Sequence, residues 1–317
     1  MRFALRYKSV KQVTHRSKYN MKKILKKITG SILALACVFG CAATMTACET
    51  SHPEVEMKVE FNGKTYTLEY KLYRELAPQT VKHFLWLADN GYYDGLCVHD
   101  YSQGDNLRLY TGAYAAATSE DDADGLVYKK YYETVKGYKN FGEFPVSVWM
   151  EKEKTNPTYT LKGEFSDNNF RVESGSLKET FGSLTMYYFN ISDFEDVATQ
   201  DVYMIRADGK DPSKCDYQYN FTTSMFYISM TSKTLSNKGY CTFASLQDDS
   251  KGKLEDLQEA LTEYIEETHN GDVNEFTESE SVIICEDDPF LGSQAVTETF
   301  SVPKAPIVIK SVKVTKF

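Results

Sequence analysis

Beyond residue 48 the sequence has few cysteines and few bases. Four cysteines lie there, Cys97, Cys215, Cys241 and Cys285, and none stands in a C-x-x-C pair or at a Cys/His spacing. That pattern argues against a zinc site. No other metal ligand set and no cofactor motif is present. An even number of cysteines permits disulfides outside the cytoplasm, although sequence cannot choose the pairing. Cys97 and Cys241 sit inside apolar runs and read as core thiols. Ten of the 36 Lys/Arg precede Ile28, where there is no Asp or Glu, which leaves 26 bases against 45 acids in the rest of the chain. A body that acidic would be repelled by phosphates, so nucleic acid is excluded as a partner. A solubilising surface is the simpler meaning of the charge. No internal repeat is present, which removes solenoids and propellers.

Aromatic side chains are abundant. Aromatics are 14% of the 317 residues, 23 of them tyrosine, a composition that favours β-structure and a substantial core. The basic start runs into Ile32, Leu33, Ala34, Leu35, Ala36, Cys37, Val38 and Phe39 and then into small residues. This is the order of a secretory signal. Met45-Thr46-Ala47-Cys48 resembles a bacterial lipobox, in which the cysteine is acylated, and Val38-Phe39-Gly40-Cys41 is a competitor with a bulkier Phe39. Met21 begins a second, shorter signal. The expected organisation is a signal over 1–47, lipidation at Cys48 (alternatively Cys41), a tether over 48–56 and one domain over 57–317. Such a protein would be held on the extracytoplasmic face of a bacterial membrane.

Within the domain, Met57, Val59 and Phe61 alternate with polar residues before Asn62-Gly63, and Tyr66, Leu68, Tyr70 and Leu72 alternate after it. That pattern predicts a hairpin. Pro78 opens a helix whose stripe is Val81, Phe84, Leu85 and Ala88, ending at Gly91. A second helix follows from Leu254, Leu257, Leu261, Tyr264 and Ile265, ending near Asn270-Gly271. Strand-like runs occupy 95–98, 107–110, 182–189, 221–230, 240–246 and 307–314. Two stretches, about 113–157 and 191–218, break this order and read as insertions. In the first, Tyr128, Tyr131, Tyr132 and Tyr138 are either a peptide- or glycan-binding surface or the insertion's own core. His52 and His83 read as surface residues, and His99 as a core residue.

Four segments in order resemble bacterial cyclophilins, the peptidyl-prolyl cis-trans isomerases. They are Leu72 to Gly95; Lys162-Gly163-Glu164-Phe165-Ser166 with Leu177 to Met186; Thr223 to Ile228 with Leu235 and Gly239 to Phe243; and Val302 to Val312. The resemblance implies a mainly β fold: a closed eight-stranded antiparallel barrel with two capping helices. It also implies a groove for proline-containing peptides or unfolded exported proteins. The expected form is a monomer.

Rotation about an X–Pro bond has a barrier of about 18–20 kcal/mol, lowered by binding the twisted amide better than the planar one. The family does this with an arginine aimed at the prolyl amide. Here the family's FHR triplet falls on Val98-His99-Asp100, so the arginine position carries a carboxylate, which opposes the carbonyl oxygen. Its FMIQGG stretch falls on Leu107 to Gly112, with Tyr110 at the peptide-holding glutamine and Arg108 at the pocket methionine. Leu107, Tyr187, Met225, Tyr227 and Leu235 take the remaining peptide-binding positions. Arg108 and Tyr110 share one face of a strand. Two roles are open to Arg108: an ordinary salt bridge with Asp100, or partial replacement of the missing guanidinium. Catalysis is expected to be weak or lost.

Overall fold

The computed structural model describes residues 50–102, 104, 107–118, 125–168, 176–190, 201–204, 212–216, 219–235, 239–284 and 296–317. The expected signal, Cys41, Cys48 and Cys285 lie outside these residues.

In chain order the strands used below are β1 (Glu54–Phe61), β2 (Lys64–Leu72), β3 (Leu96–Cys97), β4 (Asp100–Tyr101), β5 (Arg108–Thr111), β6 (Tyr114–Ala116), β7 (Leu126–Tyr128), β8 (Val148–Trp149), β9 (Leu161–Lys162), β10 (Leu184–Met186), β11 (Phe189–Asn190), β12 (Asp201–Met204), β13 (Ser213–Asp216), β14 (Tyr219–Thr222), β15 (Phe226–Ser229), β16 (Thr242–Leu246), β17 (Thr277–Ile284), β18 (Val296–Pro303) and β19 (Val308–Lys316). The helices are α1 (Pro78–Asp89), α2 (Tyr131–Gly137), α3 (Asp248–His269) and α4 (Val273–Phe276).

The Asn-Gly turn forms as its residues require. Asn62 and Gly63 take φ of 47° and 76°, and β1 pairs with β2 in unbroken register from Glu54–Lys71 to Phe61–Lys64. Alternation along both strands buries Val55, Met57, Val59, Phe61, Tyr66, Leu68, Tyr70 and Leu72 on one face. Each such side chain is worth about 1.5–3 kcal/mol when withdrawn from water. Both expected helices are present. Leu254, Leu257, Leu261 and Ile265 of α3 join the same core, and the helix stops at Asn270, which is left-handed at φ 50°.

The main sheet has nine strands in the order β3-β19-β1-β2-β16-β10-β15-β5-β4. It curls into a half-barrel and is open, which corrects the expectation of a closed eight-stranded barrel. The reason lies in residues 96–101, where one short stretch changes partner. Leu96 and Cys97 pair with β19, and Val98 N–H still donates to Ile307 O. His99 N–H then donates to Tyr110 O, and Asp100 and Tyr101 pair with β5. The two edge strands are thus sequence neighbours of two residues each, joined by the chain rather than by a ladder. Beside β4 lies the long hairpin β17–β18.

Residues from Tyr131 to Phe144 pack against α1. Trp86 meets Tyr138 at 5.6 Å and Phe144 at 4.8 Å between ring centroids, and His83 meets Phe144 at 5.2 Å. His83 is therefore fully buried rather than on the surface, with Nε2 3.2 Å from the Tyr131 hydroxyl. Tyr131 and Tyr132 are buried in the main core, and Tyr128 and Tyr138 pack against it. The tyrosine cluster is core.

Candidate functional site

Strand register assembles the site. Asp100 pairs with Tyr110, Tyr110 with Tyr227, and Tyr227 with Thr185, in one row across β4, β5, β15 and β10. Arg108, two residues before Tyr110, pairs with Ser229. Side chains in such cross-strand rows share a face, so Arg108, Tyr110, Tyr227 and Ser229 look out from the same side of the sheet. Leu109 and Thr111 alternate to the buried side.

Arg108 does not pair with Asp100. Its Nε donates to Glu179 Oε1 and its Nη2 to Glu179 Oε2, both at 2.9 Å. A planar fork that meets a carboxylate on both oxygens is the strongest form of such a pair. Glu179 is fully buried, and it also accepts from the Tyr227 hydroxyl at 3.1 Å and the Ser229 hydroxyl at 2.9 Å. Its position is set by a backbone bridge in which Glu179 and Leu235 exchange both hydrogen bonds. The guanidinium lies over the Tyr227 ring at 4.6 Å and the Tyr240 ring at 5.6 Å. Arg108 thus makes its ion pair with Glu179 rather than the expected one with Asp100. Asp100 Oδ1 accepts the Ser301 backbone N–H at 2.9 Å, tying β18 to the sheet edge. Burial raises the Asp100 carboxyl above its ordinary value, and the Ser301 bond works against that.

Four tyrosines form a continuous run. Tyr187 meets Tyr110 edge-on at 5.5 Å and 85°, Tyr110 meets Tyr227 at 5.0 Å, and Tyr227 meets Tyr240 at 6.3 Å. Tyr227 is fully buried and forms the floor, Tyr110 and Tyr187 are half-buried, and Tyr240 is 39% exposed. Burial raises the phenols of Tyr110, Tyr187 and Tyr227, so all three stay protonated at neutral pH. The arrangement offers aromatic faces and hydrogen bonds.

The other expected residues fall around this run. Leu107 is half-buried against the main core and hands its carbonyl to Met230 N–H. Leu235 is half-buried at the Glu179 bridge. Met225 is 3% exposed and packs into a second buried cluster with Cys97, Tyr114, Phe300 and Val302, so it offers a ligand almost no surface. His99 is buried between Tyr114 and Phe300 at 5.0 and 4.9 Å, and burial lowers its pKa to about 3. Sequence reasoning passed over Glu179 and Tyr240. Glu179 lies 71 residues from Arg108 along the chain, and no local pattern signals that the two meet.

Among the described residues no three His, Cys, Asp or Glu side chains gather as a metal site. Cys97 and Cys241 are free thiols, and burial pushes both up to about 12. Among the described residues no helix is long and apolar enough to cross a membrane. A cleft of about 170 Å³ is lined by Cys97, Val98, Leu126, Val302 and Pro303, among others, and by none of the four tyrosines.

No protein-family model matches the sequence, and no curated protein matches it. Among solved structures the chain is similar to a cyclophilin type peptidyl-prolyl cis-trans isomerase of Cryptosporidium parvum. The two are 14% identical, with 84% of this chain and 99% of that one covered, at a TM-score of 0.38. A structure of the same isomerase in the presence of the dipeptide Ala-Pro is 15% identical, with 83% and 99% covered and a TM-score of 0.36.

Proposed function

We propose that this chain is a lipid-anchored, extracytoplasmic domain of the cyclophilin type that holds proline-containing segments of exported proteins, with isomerase catalysis weak or lost. Two things support the reading. The first is the ordered sequence resemblance from Leu72 to Val312. The second, which carries the mechanistic half, is the state of the charged groups. The position that should present a guanidinium presents Asp100, bound to Ser301 N–H, and the nearby guanidinium of Arg108 has two of its three nitrogens committed to Glu179 at 2.9 Å.

A twisted prolyl amide needs a cation whose donors are free in the ground state and aimed at the reacting atoms. Arg108 is held by a buried carboxylate, so moving it onto a substrate would strand Glu179 without its counter-charge. That cost falls on the transition state and cancels the benefit. The tyrosine faces carry no such penalty. Proline packs on aromatic rings through its apolar ring, and Tyr110, Tyr187 and Tyr240 have surface to offer. The same observation favours the non-catalytic binder over a residual isomerase.

The test is a protease-coupled assay on an Ala-Pro peptide together with a binding titration. A rate equal to the spontaneous one, with amide shifts around Tyr110, Tyr187 and Tyr240, is expected. Acceleration abolished by Arg108→Ala would overturn the loss of catalysis, and an absence of shifts would overturn peptide holding. For the anchor, radioactive palmitate should label the chain and fail to label Cys48→Ser. Labelling that persists would move the acylated residue to Cys41.

A further inference from the structure

The outer end of the tyrosine run differs in charge from its inner end. At the inner end, Arg108 over Tyr227 and Tyr240 is matched by Glu179 and adds little net charge. At the outer end, Tyr187 and Tyr110 stand at 85° to one another with centroids 5.5 Å apart, so they make two walls of a corner. Both rings are half-buried and present surface to solvent. Burial raises the Tyr187 phenol, and the Glu298 carboxylate, Tyr110 and the Asp100 carboxylate each raise it further. Asp100 pairs directly with Tyr110 across β4 and β5, and Glu298 stands two residues before Phe300 on the same face of β18, where Tyr187 packs against the Phe300 cluster; both acids thus belong to the strands at the rim of the corner. Asp100 makes no ion pair among the described residues; its one side-chain bond is to Ser301 N–H, through Oδ1.

A two-walled aromatic corner rimmed by acids is chemistry for a cation. A guanidinium or ammonium over the face of a tyrosine is attracted by the ring quadrupole, and more strongly where water is displaced. Carboxylates at the rim add attraction and reject anions. The acidic surplus of the chain beyond residue 27, 26 bases against 45 acids, works in the same sense at longer range.

Resting on the reading of this face as a peptide site, we propose that the Tyr110–Tyr187 corner, rimmed by Asp100 and Glu298, binds a lysine or arginine side chain next to the held proline, and that the preferred partners are basic peptide segments. The aliphatic stem of such a side chain would lie along the Tyr187 ring, with its charged head between the two carboxylates.

The test titrates the mature chain with four short Ala-Pro peptides, alike except for one flanking Lys, Arg, Ala or Glu, and with a proline-free Gly-Lys-Gly peptide. At low salt the Lys and Arg peptides should bind about 5- to 10-fold more tightly than the Ala peptide, and the Glu peptide more weakly than either. The preference should fall below about 2-fold in Tyr187→Leu, in Glu298→Gln and at high salt. Glu298 is a half-buried residue of the β17–β18 hairpin, so E298Q tests the charge if Tyr187→Leu fails to fold. Equal binding of the Lys and Ala peptides overturns the cationic corner and leaves proline-peptide holding intact. Binding of Gly-Lys-Gly with no advantage from proline supports the corner and overturns the proline reading. No binding by any peptide overturns both.

Discussion

Arg108 and Glu179 meet fork to fork, Nε on Oε1 and Nη2 on Oε2, at 2.9 Å in each case. The Arg108 side chain is 16% exposed and that of Glu179 is wholly covered. The pair therefore behaves as a buried one, in which the loss of either partner strands the other. Replacing Arg108 with Leu, or Glu179 with Leu, should cost about 3–5 kcal/mol, read as a lower urea midpoint. The double Leu variant should recover most of that loss, because it removes both stranded charges. Additive losses in the double variant would mean that the two side chains contribute separately.

Asp100 serves as a tie between strands. Its acceptance of Ser301 N–H fastens β18 beside β4. Asp100→Ala should destabilise the chain by about 1 kcal/mol, and amide exchange at Ser301 should quicken. Asp100→Arg should leave the prolyl isomerisation rate at the spontaneous value, since the Tyr110 and Met225 positions also differ from the family's groups. A large restored rate in the coupled assay would show that the position alone limits catalysis.

Gly112 lets the chain leave β5 and turn toward β6. Its φ is +103°, and a Cβ there would lie 2.5 Å from the backbone oxygen of Ser224. Neither the conformation nor the contact suits an L side chain, and a backbone atom cannot swing aside. Gly112→Ala should therefore lower stability by at least about 2 kcal/mol and disturb the tyrosine run through β5. Thermal unfolding and the shifts of Tyr110 provide the check.

The pH dependence follows from two opposed groups. Burial lowers His83 and His99 from the ordinary 6.5 to about 3, and for His83 a backbone bond at Thr223 works against the shift. Between those values the unfolded chain takes up protons that the folded chain refuses, so stability falls as pH falls. Glu164 acts in the reverse sense. Burial raises it from 4.5 to about 7, opposed by the N–H groups of Thr80 and Gln79 at the start of α1. It stabilises below pH 4.5, and that contribution is lost as pH rises toward 7. From pH 6.5 to 4.5 two protons oppose one, and the histidines win. Glu164→Gln should make the loss of stability across that window about twice as steep. Urea midpoints at several pH values would show it, and parallel curves for the two proteins would remove Glu164 from the account.

Local patterns could be read from the sequence because they are enforced locally. Alternation about Asn62-Gly63 predicts the β1–β2 hairpin, since one face must leave water and the turn must take positive φ. The stripes on α1 and α3 and the stop at Asn270 follow from helical spacing and a left-handed cap. Residues 108 and 110 were bound to share a face once they formed a strand.

Tertiary structure decided what those faces meet. His83 was expected at the surface because no partner stands near it in the sequence; it is buried because Phe144 and Tyr131, from a segment over 45 residues away, close over it. Arg108 had an acid eight residues away in Asp100 and took one 71 residues away in Glu179. That pairing rests on the backbone bridge at Leu235, which sets Glu179 beside β15. The open sheet has the same origin, since two-residue strands at its edges carry too few hydrogen bonds for their sequence to reveal the partner. Spacing along a chain determines which side chains point together; which charge satisfies which depends on contacts that only the folded backbone brings within 3 Å.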